Sequence, residues 1–173
     1  EYRLLNGAAL SQKPEHMTHL NGEFLVAKTH PRIIFRGCMD SLEAALLLAA
    51  AECEGSIRTQ VEEALAYARY LLGQEVLEQP VVCKALGGMD ERQLRERSHR
   101  PQDFYGKPHF MPDPTDSKAL LLVNAARCKA REAELMAVKA FADKEGQPTR
   151  VDLVQALNRL SSFLYLIMIQ LKE

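Results

Sequence analysis

Apolar residues return at helical spacing through most of the chain and predict a series of helices. From Asp40, the positions Leu42, Ala45, Leu46, Leu48 and Ala49 share a face; Asp40 and Glu43 are spaced as a capping box, and Gly55 closes the element. A second helix follows Ser56, carried by Ile57, Val61, Ala64, Leu65, Ala68, Leu71 and Leu72, and ends at Gly73 or a little beyond because Pro80 forbids continuation. Asp90 to Arg97 reads as a short helix. It is followed by an excursion carrying Pro101, Pro108, Pro112 and Pro114, long enough to be expected to serve function. Ser117 to Asp143 predicts the longest helix, stopped by Lys144-Glu145-Gly146. Thr149, with Asp152 three residues on, is placed to cap a last helix that reaches about Leu171.

Residues 1–35 break this pattern. They hold scattered polar residues, Gly7, Pro14, Gly22 and Pro31, and a single extended run, Phe24-Leu25-Val26, so they read as a long N-terminal loop of functional importance. Aromatics make up only 6% of the chain and no second strand is convincing. The expected fold class is all-α, a bundle of four long helices and one short one with mostly antiparallel contacts. The expected division is a loop segment, 1–35, and a helical bundle, 36–173, within one domain.

Composition narrows the function classes. A length of 173 residues suffices for a core without disulfides or a structural metal. The 22 Lys+Arg and 23 Asp+Glu leave a net charge of -1, so no global field draws the chain to nucleic acid or an anionic membrane, and any anion binding is local. Cys38, Cys53, Cys83 and Cys128 are far apart, as expected of reduced thiols in the cytoplasm. The longest apolar run, Phe163 to Ile169, is far short of the ~20 residues of a membrane helix. The chain opens on Glu1 rather than Met, so an upstream segment is expected.

The chemistry concentrates near the C-terminal end. Arg127, Arg131 and Glu134 fall on one stripe of an Ala- and Leu-rich helix. Two readings stand: the arginines pair with acids such as Glu134 on an exposed face, or a guanidinium turned inward takes a carboxylate or a phosphorylated ligand. Asn158 and Arg159 interrupt the next helix between Leu157 and Leu160; an amide there needs partners, either a structural inter-helix hydrogen bond or a ligand. Lys28, Arg32 and Arg36 recur every four residues, but Pro31 is read against a helix. They form either a loop cluster that closes over phosphates or a solvated basic segment. His16 and His19 lack further ligands nearby, and Glu96-Arg97-Ser98-His99 has the Glu-x-x-His spacing of di-iron bundles without a second copy, so no metal centre is expected. No Walker loop, G-x-G-x-x-G, G-x-S-x-G or H-E-x-x-H is present.

In order and spacing, several segments taken together resemble the PduO/EutT class of ATP:cob(I)alamin adenosyltransferases, most closely its ethanolamine-utilisation branch. The resemblance runs from about Met17 to Ile169. It rests on Thr18-His19-Leu20, Leu25-Val26-Ala27-Lys28, Pro31-Arg32, Gly37 to Leu42, Leu94 to Pro101, Arg127 to Glu134 and Asp152 to Ser162. It implies a five-helix, up-down bundle assembled as a homotrimer, with ATP and corrinoid bound where subunits meet. It implies that Thr18, His19 and Lys28 fold over the triphosphate and that Asp40 pairs across the interface with Arg127. Arg131 and Glu134 would meet the nucleotide and its magnesium, and Asn158 the adenosine or phosphates. Phe110, or its neighbours His109 and Met111, would displace the lower axial ligand of cobalt, with Tyr165 also packing under the corrin.

The implied reaction moves the 5′-deoxyadenosyl group of ATP to the cobalt of reduced corrinoid and releases triphosphate, in support of ethanolamine utilisation. Cob(I)alamin is itself the nucleophile, so the protein's part is to align C5′ with cobalt and to stabilise the leaving triphosphate. The resemblance further implies a cytoplasmic enzyme with microcompartment association, served by a reductase and feeding an ethanolamine ammonia-lyase system. The rival reading is a non-catalytic helical oligomer that binds nucleotide or corrinoid as carrier, sensor or scaffold. Three positions depart from the family pattern: Tyr2 to Gln12 contains no cysteine of the metal cluster some relatives carry, Ser162 stands where an aspartate is usual, and Glu132 where a second arginine is usual.

Overall fold

Pro31 opens the first helix instead of forbidding it. Its fixed φ suits the first turn, where the missing N–H has no intrahelical partner to lose. His30 caps that turn, its Nδ1 accepting the Arg32 N–H at 3.1 Å. In the computed structural model, which describes residues 1–173, α1 therefore runs Pro31–Glu52. Asp40, predicted to cap this helix, lies in its interior on the exposed side. Glu43 does not complete a capping box with it but pairs with Arg69 of α2 (Gly55–Val76) at 3.2 Å.

α3 (Glu91–His99) starts as expected, with Asp90 and Gln93 closing a reciprocal capping box. Pro101 then begins a further short helix, α4 (Pro101–Tyr105), within the Pro-rich excursion. α5 (Lys118–Ala140) is capped by Ser117, which accepts the Leu120 N–H at 3.2 Å. Thr149 does not cap α6 (Val151–Leu171). Its hydroxyl donates to the Phe141 carbonyl at 2.9 Å, and Asp152 pairs with Arg150 and accepts the Val81 N–H at 2.8 Å.

Four long helices thus form the body, with two short ones beside them rather than one. Each long helix buries one stripe, α1 through Phe35, Met39, Leu42, Leu46 and Ala49, and α5 through Ala126, Ala130, Ala133 and Ala137. The alanines bring α5 close to both α1 and α6. α6 is buried most fully, and each large side chain it hides, such as Phe163, contributes about 1.5–3 kcal/mol.

Adjacent long helices are antiparallel. Phe35 meets Phe141 edge-on at 5.8 Å, Glu43 meets Arg69, Glu134 meets Asn158, and Gln60 meets Gln170. α2 and α5 consequently run the same way, and residues 77–117 cross the length of the bundle to join them. That crossing passes so close over α6 that a Cβ at Gly87 would stand 2.8 Å from Phe163 Cε1, and the φ of 58° there independently favours glycine.

The N-terminal segment is not a loop. β1 (Tyr2–Leu4), β2 (Ala9–Leu10), β3 (Met17–His19) and β4 (Phe24–Ala27) form one sheet in the order β2-β1-β4-β3. β1 and β4 are parallel, with Arg3 opposite Phe24; β3 and β4 form an antiparallel hairpin with Thr18 opposite Val26. Leu20, Leu25 and Val26 are buried under it.

Arg32 and Arg36, expected in a basic loop, instead ride on α1 and converge on Glu75, the one charged residue of the chain that is completely buried. Arg32 Nε lies 2.6 Å from Oε1 and Arg36 Nε 2.7 Å from Oε2. Removing one partner of such a group costs about 3–5 kcal/mol, because the charge left behind stays buried.

Candidate functional site

The two arginines of the α5 stripe open onto a cleft of about 290 Å³ bounded by α3, α5, α6 and the segment after α4. α5 supplies Arg127 and Arg131, α6 supplies Ser161, Ser162 and Tyr165, and Ser98, His99 and His109 close the far side. Arg127 is half-buried. Its Nε and Nη2 donate to Asn124 Oδ1, one turn back, at 3.1 and 3.0 Å. Arg131 is exposed to the cleft.

Neither arginine pairs with Glu134, so the reading of a self-neutralised surface stripe does not hold. None of the ion pairs of the chain involves Arg127, Arg131 or Arg159. Glu134 Oε1 instead accepts the Asn158 amide at 3.1 Å. Asn158 Oδ1 accepts Arg159 Nη1 at 2.7 Å, while the buried Arg159 Nε has no partner. Asn158 thus makes an inter-helix hydrogen bond, one of the two readings open for it, and a carboxylate, an amide and two cations lie within two turns of one another on α5 and α6.

The aromatic side of the cleft is built around Tyr165. His109 stacks on its ring at 5.7 Å and Phe110 at 6.1 Å. His109 Nε2 lies 3.0 Å from the His99 carbonyl, which can only accept. In the neutral ring the proton therefore sits on Nε2, and Nδ1 accepts the Tyr165 hydroxyl at 3.0 Å. Lys107 donates to the Ile169 carbonyl at 3.1 Å and Lys172 pairs with Asp116 at 2.7 Å, which fastens this segment to the end of α6. Phe110 is half-buried under the Lys172 ammonium, 5.1 Å from its ring, whereas Met111 is 87% exposed.

Arg127, Arg131, His109 and Tyr165 thus share one cleft, with Phe110 stacked at its edge and Glu134 and Asn158 joined beside it. Thr18, His19 and Lys28 are not brought there: Thr18 and His19 stand on β3 of the small sheet and Lys28 in the turn after β4, at the end of the bundle where α1 begins. Asp40 is exposed and pairs with nothing in the chain. Sequence reasoning did not single out Ser98, Ser161 or the carbonyl of His99, since small hydroxyls and a main-chain oxygen carry no spacing signal.

A cleft with cations on one wall and stacked aromatics on the other, set in a four-helix body, is built for a ligand both anionic and apolar. The sequence confirms a class of that description: residues 8–171 match the cobalamin adenosyltransferase family, and the chain belongs to it. Among curated proteins it is similar to the corrinoid adenosyltransferase EutT of Escherichia coli (strain K12), with 31% identity over 160 residues, 92% of this chain and 60% of that protein. It is similar also to the EutT of Salmonella typhimurium (strain LT2), with 30% identity over 158 residues, 91% of this chain and 59% of the relative. The chain therefore spans about 60% of the length of the curated relatives it matches.

Proposed function

We propose that this protein is an ATP:cob(I)alamin adenosyltransferase acting in ethanolamine utilisation, in which the 5′-deoxyadenosyl group of ATP is moved to the cobalt of a reduced corrinoid and triphosphate leaves. The observation that carries this reading is the pair Arg127 and Arg131, cationic, without a carboxylate partner, and facing the same cleft as Tyr165. Charge that develops on a departing triphosphate is stabilised by fixed cations, and a corrin plane is received by flat aromatic surface. The cobalt is the nucleophile, so no activated serine or cysteine is required; alignment of C5′ and exclusion of water are what the side chains supply.

In this reading the nucleotide lies where subunits meet: Arg131, Glu134 and Asn158 of one copy meet it, and Thr18, His19 and Lys28, which stand away from the cleft of their own chain, close over its phosphates from a neighbouring copy. Phe110, held on Tyr165, occupies the lower face of the corrin, so it is favoured over the exposed Met111. No three His, Cys, Asp or Glu side chains converge as a metal centre. Magnesium fits as a companion of the phosphates, with Glu134 the carboxylate to meet it, and would neutralise phosphate charge. A homotrimer is the assembly this reading adopts, and exposed apolar residues on the outer sides of α1 and α5, Ile34, Leu48, Leu135 and Val138, support self-association. Asp40, exposed and unpaired within its own chain, would take the Arg127 of a neighbouring copy as its partner. A cytoplasmic, microcompartment-associated protein served by a reductase, with an ethanolamine ammonia-lyase system as consumer, fits the same activity.

The test is direct. Purified protein with ATP, magnesium and chemically reduced cobalamin is followed by absorbance; the spectrum of adenosylcobalamin should grow in with release of triphosphate. Binding without that product would overturn the enzyme reading in favour of a carrier, sensor or scaffold.

A further inference from the structure

The small sheet is tied to the rest of the chain at one place. Every hydrogen bond between residues 1–27 and residues 31–173 is made by Arg36 or Glu78. Arg36 Nη2 donates to the Leu20 carbonyl at 2.6 Å and Nη1 to the His19 carbonyl at 3.3 Å, while Nε is held by Glu75 at 2.7 Å. Glu75 is completely buried and is gripped from the other side by Arg32. A guanidinium is planar, so a carboxylate fixed in this way sets the direction of the remaining Arg36 donors.

The second tie runs through Glu78. Its Oε1 accepts Arg32 Nη1 at 2.9 Å and Asn21 Nδ2 at 3.2 Å, and Asn21 Oδ1 in turn accepts the N–H groups of Glu23 and Phe24, which shapes the β3–β4 turn. Glu78 is the one non-glycine residue with positive φ, 55°, in the position after the Leu77 C-cap of α2 where glycine is favoured. Backbone strain is kept there at a residue whose side chain carries the tie.

We propose that Glu75, Arg36 and Glu78 are positioning residues that form a clamp presetting the β3–β4 hairpin, and with it Thr18 and His19, to receive the triphosphate of ATP. The clamp rests on the adenosyltransferase reading above. It also explains why Arg32 and Arg36 are not themselves phosphate ligands: their donors are spent on the Glu75 and Glu78 carboxylates and on three carbonyls, those of His19, Leu20 and Glu75. A hairpin already ordered loses less conformational freedom when ATP binds, so the clamp lowers the cost of closure.

Two variants of the full chain test this. In Arg36→Gln and Glu78→Gly the KM for ATP should rise about tenfold while the KM for corrinoid stays within about twofold, since only one substrate meets the hairpin. Backbone amides of residues 17–27 should exchange with solvent at least about tenfold faster, while those in the middle of α1 and α2 keep their protection. Glu78→Gly is the sharper of the two, because it relieves the left-handed strain. A merely structural role predicts an unchanged or higher Tm and an unchanged KM for ATP; the clamp predicts that this KM rises although Tm does not fall. Wild-type KM for ATP in Glu78→Gly, or ATP and corrinoid KM values rising together, would overturn the clamp alone. Wild-type protein that forms no adenosylcobalamin would overturn the clamp together with the reading on which it rests.

Discussion

Arg127 and Arg131 lie one turn apart on α5, and their surroundings differ. Arg127 is half-buried and its fork is occupied by Asn124, an uncharged acceptor that orients the guanidinium without neutralising it. Arg131 is exposed and free to meet a ligand. Arg131→Ala should therefore cost little stability and much activity: helicity and Tm stay near wild type, while kcat/KM falls about 10²–10³-fold, the loss typical of removing one transition-state donor. Circular dichroism with steady-state kinetics checks both halves, and full activity would remove Arg131 from the site. The residue types of this stripe were legible from spacing alone. Their partners were not, because Glu134 is as near to the arginines along the helix as a pairing carboxylate should be, and its choice of Asn158 depends on where α6 lies.

At the scale of elements, α1 is the instructive case. Its start is misplaced by ten residues if Pro31 is read as a breaker and Asp40 as a cap; in the structure Pro31 is the first residue and His30 the cap. Burial lowers the His30 pKa below 6.5, and the charges of Arg32 and Arg36 push the same way. The sign follows from linkage. The unfolded chain takes up a proton at about 6.5 and the folded one only at lower pH, so this contribution to stability is complete above 6.5 and is lost as pH falls through the lowered folded pKa. The cap agrees, since a protonated Nδ1 cannot accept the Arg32 N–H. Tm should thus drop as pH is taken from about 7.5 to 5.5, and His30→Asn, which caps without titrating, should lessen that drop. Parallel thermal melts of the two proteins measure it; an identical pH dependence would refute the assignment. The sheet escaped sequence reasoning for a different reason. Its strands are two to four residues long, too short for alternation to register, and they are held together by pairing between residues up to 21 positions apart.

At the scale of the molecule, a single copy leaves Leu48 61% and Leu135 68% exposed on neighbouring helices, and Asp40 of α1 exposed and unpaired. The proposed trimer covers this face and supplies Arg127 with the carboxylate it lacks. Sedimentation should show three copies, and Leu48→Asp should yield a folded monomer with activity reduced at least about 10²-fold, because a cross-subunit site is then incomplete. A fully active monomer would overturn the assembly. No helix is long and apolar enough to cross a membrane.

The sequence by itself determined the four long helices, most of their ends, and the chemical inventory on α5 and α6, because helix periodicity and capping are local, set within four residues of each position. Tertiary structure alone decided what each charge faces. It sent Arg32 and Arg36 to Glu75, Glu134 to Asn158, and Tyr165 to His109, while leaving Arg127 and Arg131 without a carboxylate. Those outcomes depend on burial and on which helices pack together. A buried charge must be satisfied by whatever the fold brings within reach, and that requirement has no period along the chain.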